Sequence, residues 1–419
     1  LQRLRIATPE HWRPGDRLLA QWVLARGGGE ALARWAGALS AAEGEGHTAL
    51  ALDGDALGDV TLDLGALDAS PWVGDGTART PFVRDGNARL YLWRYWQAEH
   101  AVASGLAALA REAPTFATAF NQRIDDSAID LLFGGPGDGR DAAQREAVRR
   151  CASSRLFVLT GGPGTGKTST VLRMLTACER AQGHALRVRV AAPTGKAAQR
   201  LGDALRVGGA SAPETSTVHR LLGYQPTRQR YARDATNPID AELVVIDEAS
   251  MLDLETLAAL LDALPPTAAL WLLGDADQLS PIGPGSALQD LVQALEAQAD
   301  AHRALPLVRL THSFRANADL QAINAALRRG DALEALALAA PKTLPDSSTL
   351  DDALRRWAGG LAAESRFAAL PAGADAAREA AGDALASLRA RQWLCATREG
   401  ARGAETVNAR LDALLRRHT

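Results

Sequence analysis

The sequence predicts an α/β fold built on a parallel sheet, and three features carry that reading. A short apolar run, Leu156–Thr160, leads into a glycine-rich turn and then into a helix that starts near Lys167. Four further runs, Val188–Ala192, Leu243–Ile246, Leu270–Leu273 and Leu307–Leu310, are largely apolar. Strands of that kind suit a sheet covered on both faces. Helical stretches separate them, which is the alternation expected of parallel strands.

The bulk properties bound the answer. A chain of 419 residues is too long for one ordinary core, so two or three domains are expected. With 47% hydrophobic and 23% charged residues, the composition is that of a globular protein. The net charge of −3 excludes a chain-wide basic surface, so any nucleic-acid contact must be local. Three separated cysteines, Cys151, Cys178 and Cys395, form no metal-type cluster. Their odd number argues against a disulfide framework and for a reducing cytoplasm. No secretory run opens the sequence, and no window is apolar enough to span a bilayer, so no membrane is expected.

Residues 1–114 read as a small, mostly helical N-terminal module. Arg17–Ala41 forms two amphipathic helices split by Gly27–Gly29, and a short strand-like segment enters near Leu50. Pro81–Arg84 and Arg89–Leu92 form a hairpin across Asp85–Asn87. A helix from Trp93 runs to about Ala110, and most of the tryptophans nearby are expected in the core. Residues 115–140 look like a linker, rich in glycine at its end. Asp141 then caps a helix carrying Gln144. The domain at 141–340 is the main α/β unit, and 341–390 is an alanine-rich helical connection. Gln392–Ala396 reads as the first strand of a further α/β domain, started but incomplete over 391–419.

The chemistry sits at the ends of the strands. Gly161, Gly162, Pro163, Gly164, Thr165, Gly166, Lys167 and Thr168 fit the phosphate-loop pattern, with Ser169 following on the first helical turn. Glycines let backbone N–H groups converge on one anion, and the helix N-terminus adds partial positive charge. Lys167 reaches the β- and γ-phosphates of ATP, and the Thr168 hydroxyl binds Mg²⁺. Asp247 and Glu248 leave the end of an apolar strand 80 positions after Lys167. Asp247 holds Mg²⁺, and Glu248 takes a proton from the attacking water. Gln278 closes another strand and is placed to touch the γ-phosphate and that water. Arg315 follows the next strand and is suited to stabilising charge on the transferred phosphoryl. Two stretches suit a nucleic-acid backbone: Pro193–Lys196, with Thr194 and Lys196, and Ser216–Arg220, with Thr217 and His219. Helix capping is an equal alternative for Thr194. Arg228, Arg230 and Arg233, interleaved with Tyr224 and Tyr231, add local positive charge or form a solvated loop.

Together these stretches resemble superfamily 1 DNA helicases, and among them the RecD-type subunits of helicase–nucleases, also called exodeoxyribonuclease V alpha chains. The resemblance is carried by Thr160–Thr168, Ala192–Ala198, Thr217–Gly223, Val245–Met251 and Gly274–Leu279. It extends to Gly44–His47 and Leu90–Leu92 near the start and to Leu394–Gly400 with Asn408 near the end. It implies a RecA-like P-loop domain and a second, partial RecA-like domain. It further implies that Gln144 selects adenine, that Arg315 contacts the γ-phosphate, and that Thr194, Lys196, Thr217 and His219 lie along single-stranded DNA. The implied machine moves 5′ to 3′ and works in double-strand break repair and recombination with RecB-like and RecC-like subunits. The family's nuclease lies in another subunit, so no nuclease residues are assigned.

One departure qualifies the resemblance. The family's later motifs, a His-Lys-Ser-Gln-Gly-like and a Thr-Arg-Ala-Arg-like stretch, are not found in this sequence. The expectation is a fragment or a truncated product, weakly active or inactive alone. Two alternatives stand beside the DNA motor: a nucleotide-dependent scaffold that does not translocate, and an RNA helicase of the same superfamily.

Overall fold

The computed structural model describes residues 9–52, 64–86, 88–137, 139–209, 213–279, 281, 283–298, 305–314, 318–339, 347–363, 374–390 and 392–417. The chain divides into two compact units, residues 1–321 and 322–419.

The first unit opens with α1 (Pro14–Ala25) and α2 (Gly29–Gly44), which pack on each other. The break between them needs glycine: Gly27 and Gly29 have φ of +88° and +80°. Then come β1 (Ala49–Ala51), α3 (Gly65–Asp68), β2 (Val73–Gly74), β3 (Phe82–Asp85) and β4 (Arg89–Leu92). Strands β3 and β4 form the expected hairpin, and the sheet order is β1-β4-β3-β2. The module is mostly helical, as expected, with its helices packed over a small four-stranded sheet. Trp12, Trp35, Leu32, Leu39, Phe82 and Leu90 are buried between the layers. The remaining tryptophans here are not core: Trp22 is exposed, and Trp72, Trp93 and Trp96 are half-buried.

Helix α4 (Trp93–Arg111) joins this module to the next by burial rather than by sequence alone. Its Ala98, Val102, Leu106 and Leu109 enter the same core as Leu257 and Leu260, which lie on the helix Leu254–Asp262. The stretch expected as a linker is instead two short helices, α5 (Ala117–Arg123) and α6 (Asp126–Phe133). Phe116, Phe120 and Ile129 anchor it in the core beneath the large sheet. Three large apolar side chains, spaced for two helices, outweigh the glycine-rich end that reads as flexible.

The large sheet is built from α7 (Ala142–Arg150), β5 (Leu156–Gly161), α8 (Lys167–Gln182), β6 (Val188–Ala192), α9 (Gly195–Val207), β7 (Glu214–Thr217), α10 (Val218–Leu221), β8 (Leu243–Ile246), α11 (Leu254–Asp262), β9 (Ala269–Gly274), α12 (Ala287–Ala297) and β10 (Leu307–Leu310). The strand order is β10-β5-β9-β8-β6-β7, and every pairing is parallel. One strand, β9, separates the phosphate-loop strand β5 from the carboxylate strand β8. This is the α/β, RecA-like arrangement. Side chains alternate between two cores: Val158, Val244, Ile246 and Leu272 face one, and Phe157, Leu159, Val245 and Trp271 face the other. All five expected strands of this sheet are present. The sixth, β7, has the polar sequence Glu-Thr-Ser-Thr and lies at the sheet edge.

The second unit contains most of α13 (Ala318–Arg328), then α14 (Ala332–Ala339), α15 (Ser347–Ala362), α16 (Ala374–Ala390) and α17 (Ala404–Leu415). Leu354, Val407 and Leu411 are buried where α15 meets α17. The strand expected at Gln392–Ala396 is not formed: residues 392–395 have no regular structure, and Leu394 is 92% exposed. A strand exists only in a ladder, and the described elements of this unit are helices.

Candidate nucleotide site and nucleic-acid face

Parallel strands bring their C-terminal ends to one edge, and that edge gathers the expected residues. Strand β5 ends at Gly161, and the loop curls through Gly164 and Gly166, both with positive φ, into α8. The Thr165 hydroxyl donates to the Gly162 carbonyl at 2.8 Å, which closes the loop on itself. The hydroxyls of Ser169 and Thr170 donate to the Gly166 carbonyl at 2.8 and 2.9 Å. The Lys167 ammonium bends over the loop and donates to the carbonyls of Gly161 at 2.5 Å and Gly162 at 3.4 Å. It lies where an incoming phosphate exchanges weak carbonyl partners for charged oxygens.

Gln144 is buried on α7, and its amide donates to the Thr165 carbonyl at 3.0 Å. It thus ties α7 to the loop. Asp141 does not cap this helix. Its carboxylate accepts from Arg145 at 2.9 Å instead, and Arg145 also reaches Asp130 and the Gly135 carbonyl. A doubly paired guanidinium offers the carboxylate more than a single backbone N–H does.

Strand β8 delivers Asp247 and Glu248. The Asp247 N–H donates to the Ala191 carbonyl at 2.8 Å, so β6 fixes its backbone. Burial raises the Asp247 carboxyl above its usual range, and Lys167 and Arg200 oppose that rise. Lys167 and Asp247 therefore lie within electrostatic reach of each other. Glu248 has φ of +52°, a left-handed conformation rare for a side-chain-bearing residue. Its N–H donates to Asp247 Oδ1 at 3.0 Å. Strain of that kind persists where surrounding structure enforces it.

Strand β9 ends at Gly274; the next residue, Asp275, is buried, and the Gln278 N–H donates to its carbonyl at 3.1 Å. The Ala276 N–H donates to the Thr160 hydroxyl at 3.1 Å, tying this turn to the phosphate-loop strand. Gln278 itself is exposed at the edge. After β10, the Ser313 hydroxyl donates to the Pro163 carbonyl at 3.1 Å and the Phe314 N–H to the Gly164 carbonyl at 2.9 Å. Arg315 lies outside the described residues.

The donor set fits Mg²⁺. Thr168 and Asp247 supply hard oxygen atoms, and among the described residues there is no cluster of three or more metal-binding side chains. An ion that keeps several waters and takes its other ligands from phosphate needs only one or two from protein.

The residues expected to meet nucleic acid sit farther along the same edge. Thr194 caps α9, accepting from the Ala197 N–H at 3.4 Å, and Thr217 caps α10, accepting from the Arg220 N–H at 3.2 Å. Both capping roles are therefore real. A hydroxyl that accepts at its oxygen still has a proton to donate. Strands β6 and β7 pair with Ala192 opposite Thr217, so the two stretches lie side by side. Lys196 and His219 are exposed beside them.

Three features escaped sequence reasoning. Arg200 follows Lys196 by one helical turn, a spacing that is readable in principle. The Ser313 and Phe314 contacts to the loop, and the Asp277–Arg309 ion pair at 3.2 Å, join residues far apart in sequence.

Comparison with known proteins agrees with this geometry. A family model described as an AAA domain matches residues 144–284. The RecBCD enzyme subunit RecD of Mycolicibacterium smegmatis is 35% identical over 297 residues, covering 66% of this chain and 49% of the relative. That of Mycobacterium tuberculosis is 34% identical over 375 residues, covering 85% and 60%. The ATP-dependent RecD2 DNA helicase of Deinococcus radiodurans is 34% identical over 270 residues, covering 64% and 33%. The chain spans between about a third and three fifths of the length of these relatives. Among solved structures, a Pif1 helicase from Candida albicans is 21% identical with a TM-score of 0.31, covering 52% of this chain and 53% of that one. That likeness adds nothing to the strand order, on which the fold rests. Among the described residues no helix is long and apolar enough to cross a membrane. Motif order, sheet topology and sequence kinship agree, and together they support a RecD-type superfamily 1 helicase.

Proposed function

We propose that this chain is the ATP-binding part of an ATP-dependent DNA helicase subunit. The observation that supports it best is that the phosphate loop after β5 and the carboxylates after β8 leave the same C-terminal edge of one parallel sheet, with a single strand, β9, between them. In this reading the loop N–H groups and Lys167 hold the β- and γ-phosphates. Mg²⁺, held by Thr168 and Asp247, neutralises charge on those phosphates. Glu248 takes the proton of the attacking water, and Gln278 contacts that water and the γ-phosphate. Arg315 lies along the chain just beyond the Ser313 and Phe314 contacts, and its role is to stabilise the phosphoryl in flight. Gln144 reads the adenine edge. Thr194, Lys196, Thr217 and His219 contact the backbone of single-stranded DNA.

The finer parts of the proposal come from the kinship alone. They are movement from 5′ to 3′, assembly with RecB-like and RecC-like subunits through the N-terminal module, and a role in double-strand break repair. The test is ATP hydrolysis with and without single-stranded DNA. Wild type should be stimulated by the strand, Lys167→Ala should lose nucleotide, and Glu248→Gln should bind ATP without hydrolysing it. Equal, measurable hydrolysis by all three proteins, or unimpaired nucleotide binding by Lys167→Ala, would refute the proposal.

A further inference from the structure

Just beyond Thr217 the chain makes a compact excursion that the ATP site does not use. Gly223, with φ of +66°, turns it outward. Gln225 and Arg230 form an antiparallel bridge, and the Gln225 N–H donates to the Arg230 carbonyl at 2.8 Å. The Ala232 N–H returns to the Leu222 carbonyl at 3.1 Å. At the base of this hairpin three rings meet. The His219 and Tyr224 centroids are 5.4 Å apart and nearly perpendicular. Tyr224 and Tyr231 are also 5.4 Å apart, and His219 and Tyr231 are 6.1 Å apart. The Tyr231 hydroxyl lies 3.3 Å from the Thr256 hydroxyl on α11, which ties the cluster to the core.

The cluster is not a core. Tyr224 is 40% exposed, and His219 is exposed as well. By contrast Tyr91 and Tyr95 of the N-terminal module are 2% and 4% exposed. Arg228 and Arg230 are exposed at the hairpin tip. In a chain of net charge −3 this is a local concentration of positive charge beside an exposed ring. The position adds the last element. Thr217 pairs in register with Ala192, so Thr194 and Lys196 lie next to His219 along one edge.

We propose that Tyr224, backed by His219 and Tyr231, is a stacking platform for a base of single-stranded DNA, and that Arg228 and Arg230 hold the adjoining phosphates. The proposal rests on the helicase reading above and adds to it a residue that grips the base. Hydroxyls, lysine and backbone N–H groups hold the strand by its phosphates, whereas a fixed aromatic face takes any base by its π-surface. Tyr231 and His219 keep the Tyr224 ring from swinging away, so less order is lost when a base stacks on it.

The experiment is fluorescence anisotropy of the full 419-residue chain with labelled oligo-dT, an abasic strand of the same length and oligo-rU, over a salt series. Tyr224→Ala should weaken oligo-dT about ten-fold, leave the abasic strand unchanged and leave the salt slope unchanged. Tyr224→Phe should bind like wild type, because the ring and not the hydroxyl is used. Arg228→Ala and Arg230→Ala should each lower the salt slope by about one and weaken both DNA strands alike. Equal loss on oligo-dT and the abasic strand, or no loss at all in Tyr224→Ala, would overturn the platform while leaving the helicase reading intact. Oligo-rU bound as tightly as oligo-dT would overturn the assignment to DNA. Failure of the wild-type chain to bind any strand would sink the helicase reading itself.

Discussion

One added methyl group at Gly166 tests the phosphate loop most sharply. Gly166 has φ of +83°, and a Cβ there would stand 2.5 Å from the Gln144 amide nitrogen and 3.1 Å from the Ser169 hydroxyl. Left-handed backbone costs a side-chain-bearing residue roughly 1–2 kcal/mol. The clash also pushes Gln144 off the Thr165 carbonyl, a bond of 3.0 Å worth about 1 kcal/mol net. The sum is about 2–3 kcal/mol. A loop without nucleotide relaxes away from this cost, whereas binding must restore the original geometry. The penalty therefore appears in affinity, as about a 30- to 150-fold weaker dissociation constant at 1.4 kcal/mol per decade. The assay is equilibrium titration of Gly166→Ala with a fluorescent ATP analogue, with thermal unfolding as a control. Wild-type affinity in the variant would refute the reasoning, because neither the left-handed turn nor the Gln144 contact would then matter to nucleotide.

Other perturbations follow from the same geometry. Asp16 is buried. Burial pushes its pKa up, but hydrogen bonds from Arg13 and Ser40 prevail and leave it below the ordinary value of 3.8. Its contribution is thus present above that value and lost as pH falls through the lower folded one. Asp16→Asn should lower the thermal midpoint at neutral pH, and the gap from wild type should shrink toward pH 3. Arg309 holds both carboxylate oxygens of Asp277 at 3.2 Å, next to Gln278. About a third of each side chain is exposed, so Arg309→Gln should cost no more than about 1 kcal/mol of stability by chemical denaturation. The same variant should lower kcat for ATP several-fold with KM unchanged, and the charge-swapped pair Asp277→Arg with Arg309→Asp should recover part of it. Steady-state kinetics with single-stranded DNA present measures both.

What was legible in the sequence and what was not have separate physical causes. Strands β5, β8 and β9 are buried on both faces, so they stand out as apolar runs. Strand β7 is at the edge and polar, and its pairing to β6 is settled by tertiary contact alone. The helices at 117–133 were hidden because a few anchors, Phe116, Phe120 and Ile129, do the packing while a glycine-rich turn follows them. The apolar run at Gln392–Ala396 had the composition of a strand but no ladder to join. At the candidate site, the loop ahead of α8 was readable because its glycines and the helix start at Lys167 fall at fixed spacings. The left-handed Glu248 and the Asp277–Arg309 pair depend on residues brought together by the sheet. Local sequence carries no mark of those contacts.

The central claim is that the loop, Lys167 and Asp247 serve one Mg²⁺-bound triphosphate. Its most direct test is calorimetric titration of a non-hydrolysable ATP analogue, with and without Mg²⁺, into wild type, Lys167→Ala and Asp247→Asn. Wild type should bind, and more tightly with Mg²⁺; Lys167→Ala should bind at least ten-fold more weakly in both conditions; Asp247→Asn should bind but gain nothing from Mg²⁺. Wild-type isotherms from both variants would contradict the account.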